Sequence, residues 1–396
     1  MYTKRRLLHI IVALAVAVPT LIAVAPANAA PQGQLPLNVR NNSGRGDTVF
    51  LYVLGVNLNT GRLGYVDAGG TFHNWPAGSI PPTPALDVAI KGPGKGGTAK
   101  LKVPVGLSGR VYMAFGEKLK FFVTPNGLVQ PAPWAPQDAN RNILFDWSEF
   151  TYNSGGIWIN TSMVDMFSVP HMITVAAGNG ATLKTGELVP GGRTGIFNAV
   201  AKQPGDWGKL IVRRSDGTAL RVESPLKGVE RGAFSNTYFD SYINTAWNTY
   251  KNATLTVIPF ENQPNTRYFG RTDAGGVMHF KNGSGAEVYS IKKPSTKDVF
   301  GCDGNLAAPN DLIAGPIART VCAALHRSTL AAIHTQPSYD AGKFYKTPVT
   351  DHYSRILHSF EKDGRAYGFA FDDVGHFESL VHDAAPKSAT ITLTAF

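Results

Sequence analysis

The stretch FDWSEFTYNSGGIWINTSMVDMF, residues 145–167, sets three carboxylates, Asp146, Glu149 and Asp165, among aromatic, amide and hydroxyl side chains around a Gly-Gly pair. Acids are depleted in strands, so these three either cap an exposed face or take part in proton chemistry. With Gly155-Gly156 as a two-residue hairpin loop, a favoured turn composition, Asn153 pairs with Trp158, Thr151 with Asn160 and Glu149 with Ser162. Side chains alternate sides along a strand. One face then carries Glu149, Thr151, Asn153, Trp158, Asn160 and Ser162, and the other carries Phe150, Tyr152, Ile157, Ile159, Thr161 and Met163. The second set is core-like.

The first set is a sugar-binding composition. Amides and hydroxyls pair with sugar hydroxyls without a charged group's desolvation cost, and an indole can lie against the apolar side of a pyranose ring. A plain solvent-facing strand surface is the alternative reading of the same residues. Asp165 lies three residues past Ser162, roughly 10 Å along an extended strand. A bend after Ser162 would shorten that gap and turn Asp165 toward Glu149, which strict alternation denies it. Inverting glycosidases hold their two carboxyls about 6.5–9.5 Å apart, leaving room for a water, and the spacing is compatible with that. Alternation points Asp146 to the opposite face, where a structural hydrogen bond is the expected role.

Outward from the hairpin, the N-terminal half reads as β. LPLNVRNN, TVFLYVLGVNL, ALDVAI, KLKVPV, GRVYMAF and LKFFVTP are short alternating or β-branched runs separated by Gly, Pro and Asn. Such spacing indicates a sandwich or barrel. Helical periodicity enters later. Phe239, Tyr242, Ile243, Ala246, Trp247 and Tyr250 form one stripe within 236–250, and segments 311–330 and 351–364 are further helices, the last capped by Asp351 and stopped by Gly364. The chain then returns to strands. The expected architecture is mainly β with an α/β part: a β-sandwich or barrel domain from 31–185 and 366–396, an inserted mixed α/β domain from 186–365, and a groove between them, a common place for a ligand site.

Residues 1–30 have the layout of a secretory signal peptide: Lys4, Arg5 and Arg6, an apolar run from Leu7 to Val24, and Ala27-Asn28-Ala29 as cleavage site. A secreted, extracellular protein with no membrane span after signal removal is expected. The formal charge of +10 falls by three without that segment. The densest basic run, KGPGKGGTAKLK, lacks the interleaved aromatics of a nucleic-acid groove, so no nucleic-acid partner is expected. Cys302 and Cys322, the two cysteines, are expected to pair in an oxidising compartment. GPGKGG at 92–97 matches a dinucleotide-binding pattern, but a strand follows it where a helix is required, and it reads as a hairpin loop. His352, His358, His376 and His382 fit no zinc spacing. No metal or cofactor is called for.

The quoted stretch, extended to Pro170, resembles the active-site segment of glycoside hydrolase family 64, the secreted, laminaripentaose-producing β-1,3-glucanases of thaumatin-like fold. LPLNVRNNSGRGDTVFLYVLGVN, GRLGYVDAGGTFHNWP, GCDGNLAAPND and HYSRILHSFEKDGRAYGFAFDDV are similar to the same family, so the likeness spans the chain beyond the leader. The resemblance implies that Glu149 is the general acid and Asp165 the base of an inverting hydrolysis. It implies glucan contacts at Thr151, Asn153, Trp158 and Ser162, the last standing where the family has Thr. All four lie on the face that alternation assigns; Asn160 joins them by alternation alone. The implied partner is a β-1,3-glucan polysaccharide bound by a monomer. A non-catalytic thaumatin-like glucan-binding protein is the rival, and it has no need of Asp165 as a second carboxylate. A surface adhesin using the RGD at 45–47 would leave the polar face unexplained.

Overall fold

The computed structural model describes residues 33–125 and 127–396; the expected leader, 1–30, lies outside them. The hairpin sits in the larger of two facing sheets. That sheet runs in the order Leu380–Asp383, Gly156–Asn160, Leu144–Asn153, Leu107–Phe115, Val49–Asn57, Arg62–Val66 and Phe72–Asn74, with Ile90–Lys91 also beside Val49–Asn57. The smaller sheet runs Thr182–Thr185, His171–Ala176, Ser388–Leu393, Gln34–Asn41 and Thr98–Pro104. Period-two burial, as in Leu35, Leu37 and Val39 or Ala389, Ile391 and Leu393, turns one side of each strand inward. These residues share one apolar cluster with Val111, Met113, Phe150, Ile157 and Ile159 of the larger sheet, so the two sheets form a sandwich. Each such aliphatic side chain contributes roughly 1.5–3 kcal/mol relative to exposure. The last strand lies parallel to Gln34–Asn41 and antiparallel to His171–Ala176, which brings both ends of the described chain into one sheet.

Two local expectations change. ALDVAI is a strand only at Ile90; Ala85, Val88 and Ala89 pack instead on the outer side of the larger sheet, and Ala89 N–H donates to the Asp87 side chain in a local turn. GPGKGG is not a hairpin loop. It carries the chain from Ile90–Lys91 in the larger sheet to Thr98–Pro104 in the smaller one.

Between the strands of the sandwich, residues 188–374 hold six α-helices and a five-stranded sheet. Helix Asp240–Asn252 buries Tyr242, Ile243, Ala246, Trp247 and Tyr250 of the expected stripe but starts four residues later than the periodicity suggests, leaving Phe239 buried just before it. Helix His352–Phe360 begins with the Asp351 carboxylate accepting Ser354 N–H. It stops before Gly364, because Glu361 leaves the helix to bridge Leu188. The Cys302–Cys322 disulfide ties helix Thr296–Gly301 to helix Ala314–His326.

Candidate active site

The hairpin turn falls one residue earlier than the Gly-Gly pair suggests. Asn153 pairs with Gly156, Thr151 with Trp158 and Glu149 with Asn160. The Asn153 side-chain oxygen accepts Gly155 N–H at 2.8 Å, closing the turn over Ser154-Gly155. Gly156 then starts the return strand at φ +109°, where a Cβ would lie 2.0 Å from the Asp383 carbonyl oxygen. The register therefore slips by two residues, and an even slip leaves every side chain on its expected face. Ser162 loses Glu149 as its partner. It lies past the strand end and bridges Tyr367.

Along this outer face the chemistry changes at one residue. Phe145 and Trp147, with Tyr52, Leu54 and Tyr112 of neighbouring strands, are buried under Leu119, Phe121, Val123 and Leu128. From Glu149 onward the face turns polar, with Thr151 bonded to Ser108 through their hydroxyls at 2.8 Å. Arg110 stands opposite Glu149 in register and donates to Glu149 Oε1 from Nε at 3.0 Å and from Nη2 at 2.9 Å. The same Nη2 lies 3.8 Å from Asp165 Oδ2. A nitrogen shared by both carboxylates keeps their nearest oxygens under about 7 Å apart.

Asp165 reaches this position because the chain bends after Ser162. Met163 N–H donates to Tyr367 O at 2.9 Å, and the Asp165 carbonyl accepts Ser224 N–H at 2.9 Å. Lys227, on helix Pro225–Glu230, places Nζ 3.2 Å from Asp165 Oδ1 and 4.4 Å from the centre of the Trp134 ring. Burial opposes the charge of Arg110, but Tyr112, Glu149 and Asp165 together raise its pKa. Burial likewise opposes the Lys227 charge, and Asp165 and Glu230 outweigh it. Two cations thus hold one carboxylate each and one of them spans both.

The remaining sequence candidates divide. Trp158 is half-buried and stacks on His382 with ring centres 4.1 Å apart, so one side of the indole is already covered. Asn160 is 2% exposed and its Oδ1 has no partner. Asn153 sits at the turn with its side-chain oxygen engaged. Asp146 is on the sandwich side, buried, accepting N–H bonds from Trp147, Ser168 and Val169. Burial pushes its carboxyl up to about 7 against those three donors. Arg110, Lys227, Trp134 and Tyr367 escaped sequence reasoning. Arg110 left one signal: a lone cation amid the apolar residues of GRVYMAF. Among the described residues, the one set of His, Cys and acidic side chains close enough to share an ion is Cys302, Cys322 and His326, whose sulfurs are bonded to each other.

A buried carboxyl with one oxygen fixed by a guanidinium that also reaches a second, more exposed carboxyl can divide acid and base work on a polar neutral substrate. The sequence profile described as β-1,3-glucanase, that of glycoside hydrolase family 64, matches residues 33–393. The chain belongs to this family. A glucan endo-1,3-beta-glucosidase of Arthrobacter sp. (strain YCWD3) is 45% identical over 374 residues, 94% of this chain and 67% of that protein. One from Cellulosimicrobium cellulans is 44% identical over the same lengths. The crystal structure of a laminaripentaose-producing β-1,3-glucanase in complex with laminaritetraose matches with TM-score 0.89 and 51% identity, covering 92% of this chain and 99% of that one. Within this glucanase family the chain therefore has close relatives in both sequence and fold.

Proposed function

We propose that the chain is a secreted, monomeric β-1,3-glucanase that cleaves linear glucan with inversion into short oligosaccharides of the laminaripentaose type, with Glu149 as general acid and Asp165 as general base. The observation that carries this reading is the Arg110 guanidinium shared by two carboxylates on an otherwise neutral, hydroxyl- and amide-lined face. Arg110 fixes Glu149 Oε1 and leaves Oε2 to carry the proton that passes to the glycosidic oxygen as the bond to the anomeric carbon breaks. Asp165, paired with Lys227, takes a proton from the water that attacks the anomeric carbon from the opposite side. At the end of the step Glu149 is ionised and Asp165 protonated, and exchange with solvent restores both. Thr151, Asn153, Trp158, Asn160 and Ser162 bind the glucan in a groove between a thaumatin-like sandwich and the inserted mixed α/β domain. No nucleic acid, membrane, metal or cofactor takes part.

The test is incubation with insoluble linear β-1,3-glucan, with product lengths followed over time. Release of oligosaccharides centred on the pentamer by the natural chain, and none by Glu149→Gln or Asp165→Asn, is expected. Binding without release would leave the non-catalytic glucan binder as the correct reading.

A further inference from the structure

Of the three carboxylates in residues 145–167, Asp146 takes no part in the proposed hydrolysis. It lies on the sandwich side of strand Leu144–Asn153, three residues before Glu149, and is 2% exposed. Its Oδ1 accepts Trp147 N–H at 2.9 Å, on its own strand. Its Oδ2 accepts Ser168 N–H at 2.8 Å and Val169 N–H at 3.0 Å, 22 and 23 residues along the chain. Ser168 stands three residues after Asp165. One short side chain therefore ties the strand that carries Glu149 to the segment that carries Asp165.

That segment is held from other directions as well. Met166 and Phe167 pair with Glu223 and Val222, and Ser224 N–H donates to Asp165 O at 2.9 Å. The Ser168 hydroxyl donates to Leu220 O at 2.7 Å, and the Ser168 carbonyl accepts from Arg193 Nε at 2.7 Å. Arg221, fully buried, donates to Arg141 O at 2.6 Å and to Ile143 O at 2.5 Å, just ahead of the Glu149 strand. The Asp165 backbone is thus seated on strand Ala219–Glu223, which Arg221 docks on the residues leading into Leu144–Asn153. Asp146 closes this frame from the inner side. Arg110 reaches both catalytic carboxyls from the outer side, but through a long side chain whose Nη2 stops 3.8 Å from Asp165.

We propose that Asp146 is a positioning residue of the hydrolysis: by holding Ser168 and Val169 it sets how far Asp165 stands from Glu149. The inference rests on the glucanase reading of those two carboxyls. Placement matters because the attacking water must fit between the base and the anomeric carbon, and a shift of about 1 Å can cost on the order of 10²-fold in rate. Thr151 and Asn153, proposed to bind glucan, lie on the other face of the Asp146 strand. Loosening the inner tie leaves them in place, so the loss falls on kcat rather than on KM.

Laminarihexaose hydrolysis by the full chain tests this, with rates counted per folded molecule from urea unfolding. Asp146→Asn keeps the shape, but its NH2 group cannot accept and must face one of the three N–H donors. It should lower kcat about tenfold and leave KM within about twofold. Asp146→Ala, which removes all three bonds, should lower kcat further, towards about 10²-fold, with KM again little changed. Arg327→Met, which breaks the buried pair with Asp372 in the α/β part, is the control for lost stability and should keep its kcat. Natural kcat in folded Asp146→Asn overturns the proposal, even where Asp146→Ala does not fold. A loss carried by KM, or one that Arg327→Met shares equally, overturns it too. If Asp165→Asn is as fast as the natural chain, the glucanase reading of the pair falls and takes this proposal with it. An inactive Asp165→Asn beside a natural-rate Asp146→Asn sinks the positioning role alone.

Discussion

Two charged clusters in this molecule use similar residues for opposite ends. In the α/β part, Asp351 accepts from His326 Nδ1 at 2.7 Å, from the Ser354 hydroxyl at 2.9 Å and from Ser354 N–H at 3.1 Å. Asp372 accepts from Arg327 at 2.9 Å, His358 Nε2 at 2.9 Å and Gly368 N–H at 3.0 Å. Arg327 lies among the rings of Phe344, Phe369 and Phe377. Both oxygens of each acid are committed, and His326, Arg327, Asp351 and Asp372 are each 2% exposed or less. On the outer face of the larger sheet, Glu149 gives one oxygen to Arg110, Asp165 is held by Lys227, and the side chains stay between 8% and 21% exposed. The closed cluster commits every carboxylate oxygen, whereas the open one leaves Glu149 Oε2 for the role proposed for it.

The largest effect expected is catalytic. Glu149→Gln should lower turnover by roughly 10²–10⁴-fold, the usual contribution of general acid catalysis. Its urea unfolding midpoint should stay near that of the natural chain, since a neutral amide of the same shape can still accept from Arg110. A large loss of stability in this variant would erase the distinction between the clusters.

Arg327→Met reverses the pattern. Removing one partner of a buried ion pair costs roughly 3–5 kcal/mol, read as a shift in urea midpoint, while kcat per folded molecule should not move. Reducing the Cys302–Cys322 bond, which closes a loop of 20 residues, should cost about 3 kcal/mol by chain entropy, again with kcat preserved once folded.

Much of the polar strand face was legible in the sequence, and the reason is arithmetic. The polar face from Glu149 to Asn160 followed from alternation alone, and an error in the turn survived because the true register differs by an even number of residues. Asp165 was legible only as a conditional: it needed a bend, supplied by Tyr367 and Ser224, which lie far along the chain. Arg110 was hidden for the same reason, since 39 residues separate it from Glu149 and no local pattern pairs them. Alternation offers Trp158 to a sugar ring but is blind to His382, which covers one side of it across the strand pair. ALDVAI failed as a strand because the Asp87 turn interrupts its alternation, although its apolar residues are still used.

Smaller effects sharpen the comparison. In the closed cluster burial opposes the His358 charge, but Asp372 outweighs it and raises the imidazole pKa. A raised histidine pKa stabilises the fold while the ring is protonated, fully so below the unfolded-state pKa, and the stabilisation fades as pH climbs through the folded-state value. The pH dependence of the urea midpoint above neutrality should therefore be reduced in His358→Gln; an unchanged profile would remove His358 from the ionic cluster. Trp158→Ala should weaken laminarihexaose binding about tenfold or less, the contribution of one aromatic contact, with little change in stability. Unaltered affinity would take Trp158 out of the groove.

In the proposed mechanism two carboxylates divide acid and base work across a glucosidic bond. Proton NMR of the first sugars released from linear β-1,3-glucan reads this directly. The α-anomer at the new reducing end, formed before mutarotation and absent with Glu149→Gln or Asp165→Asn, is the predicted result. A β-anomer as first product, or undiminished release by either variant, would contradict it.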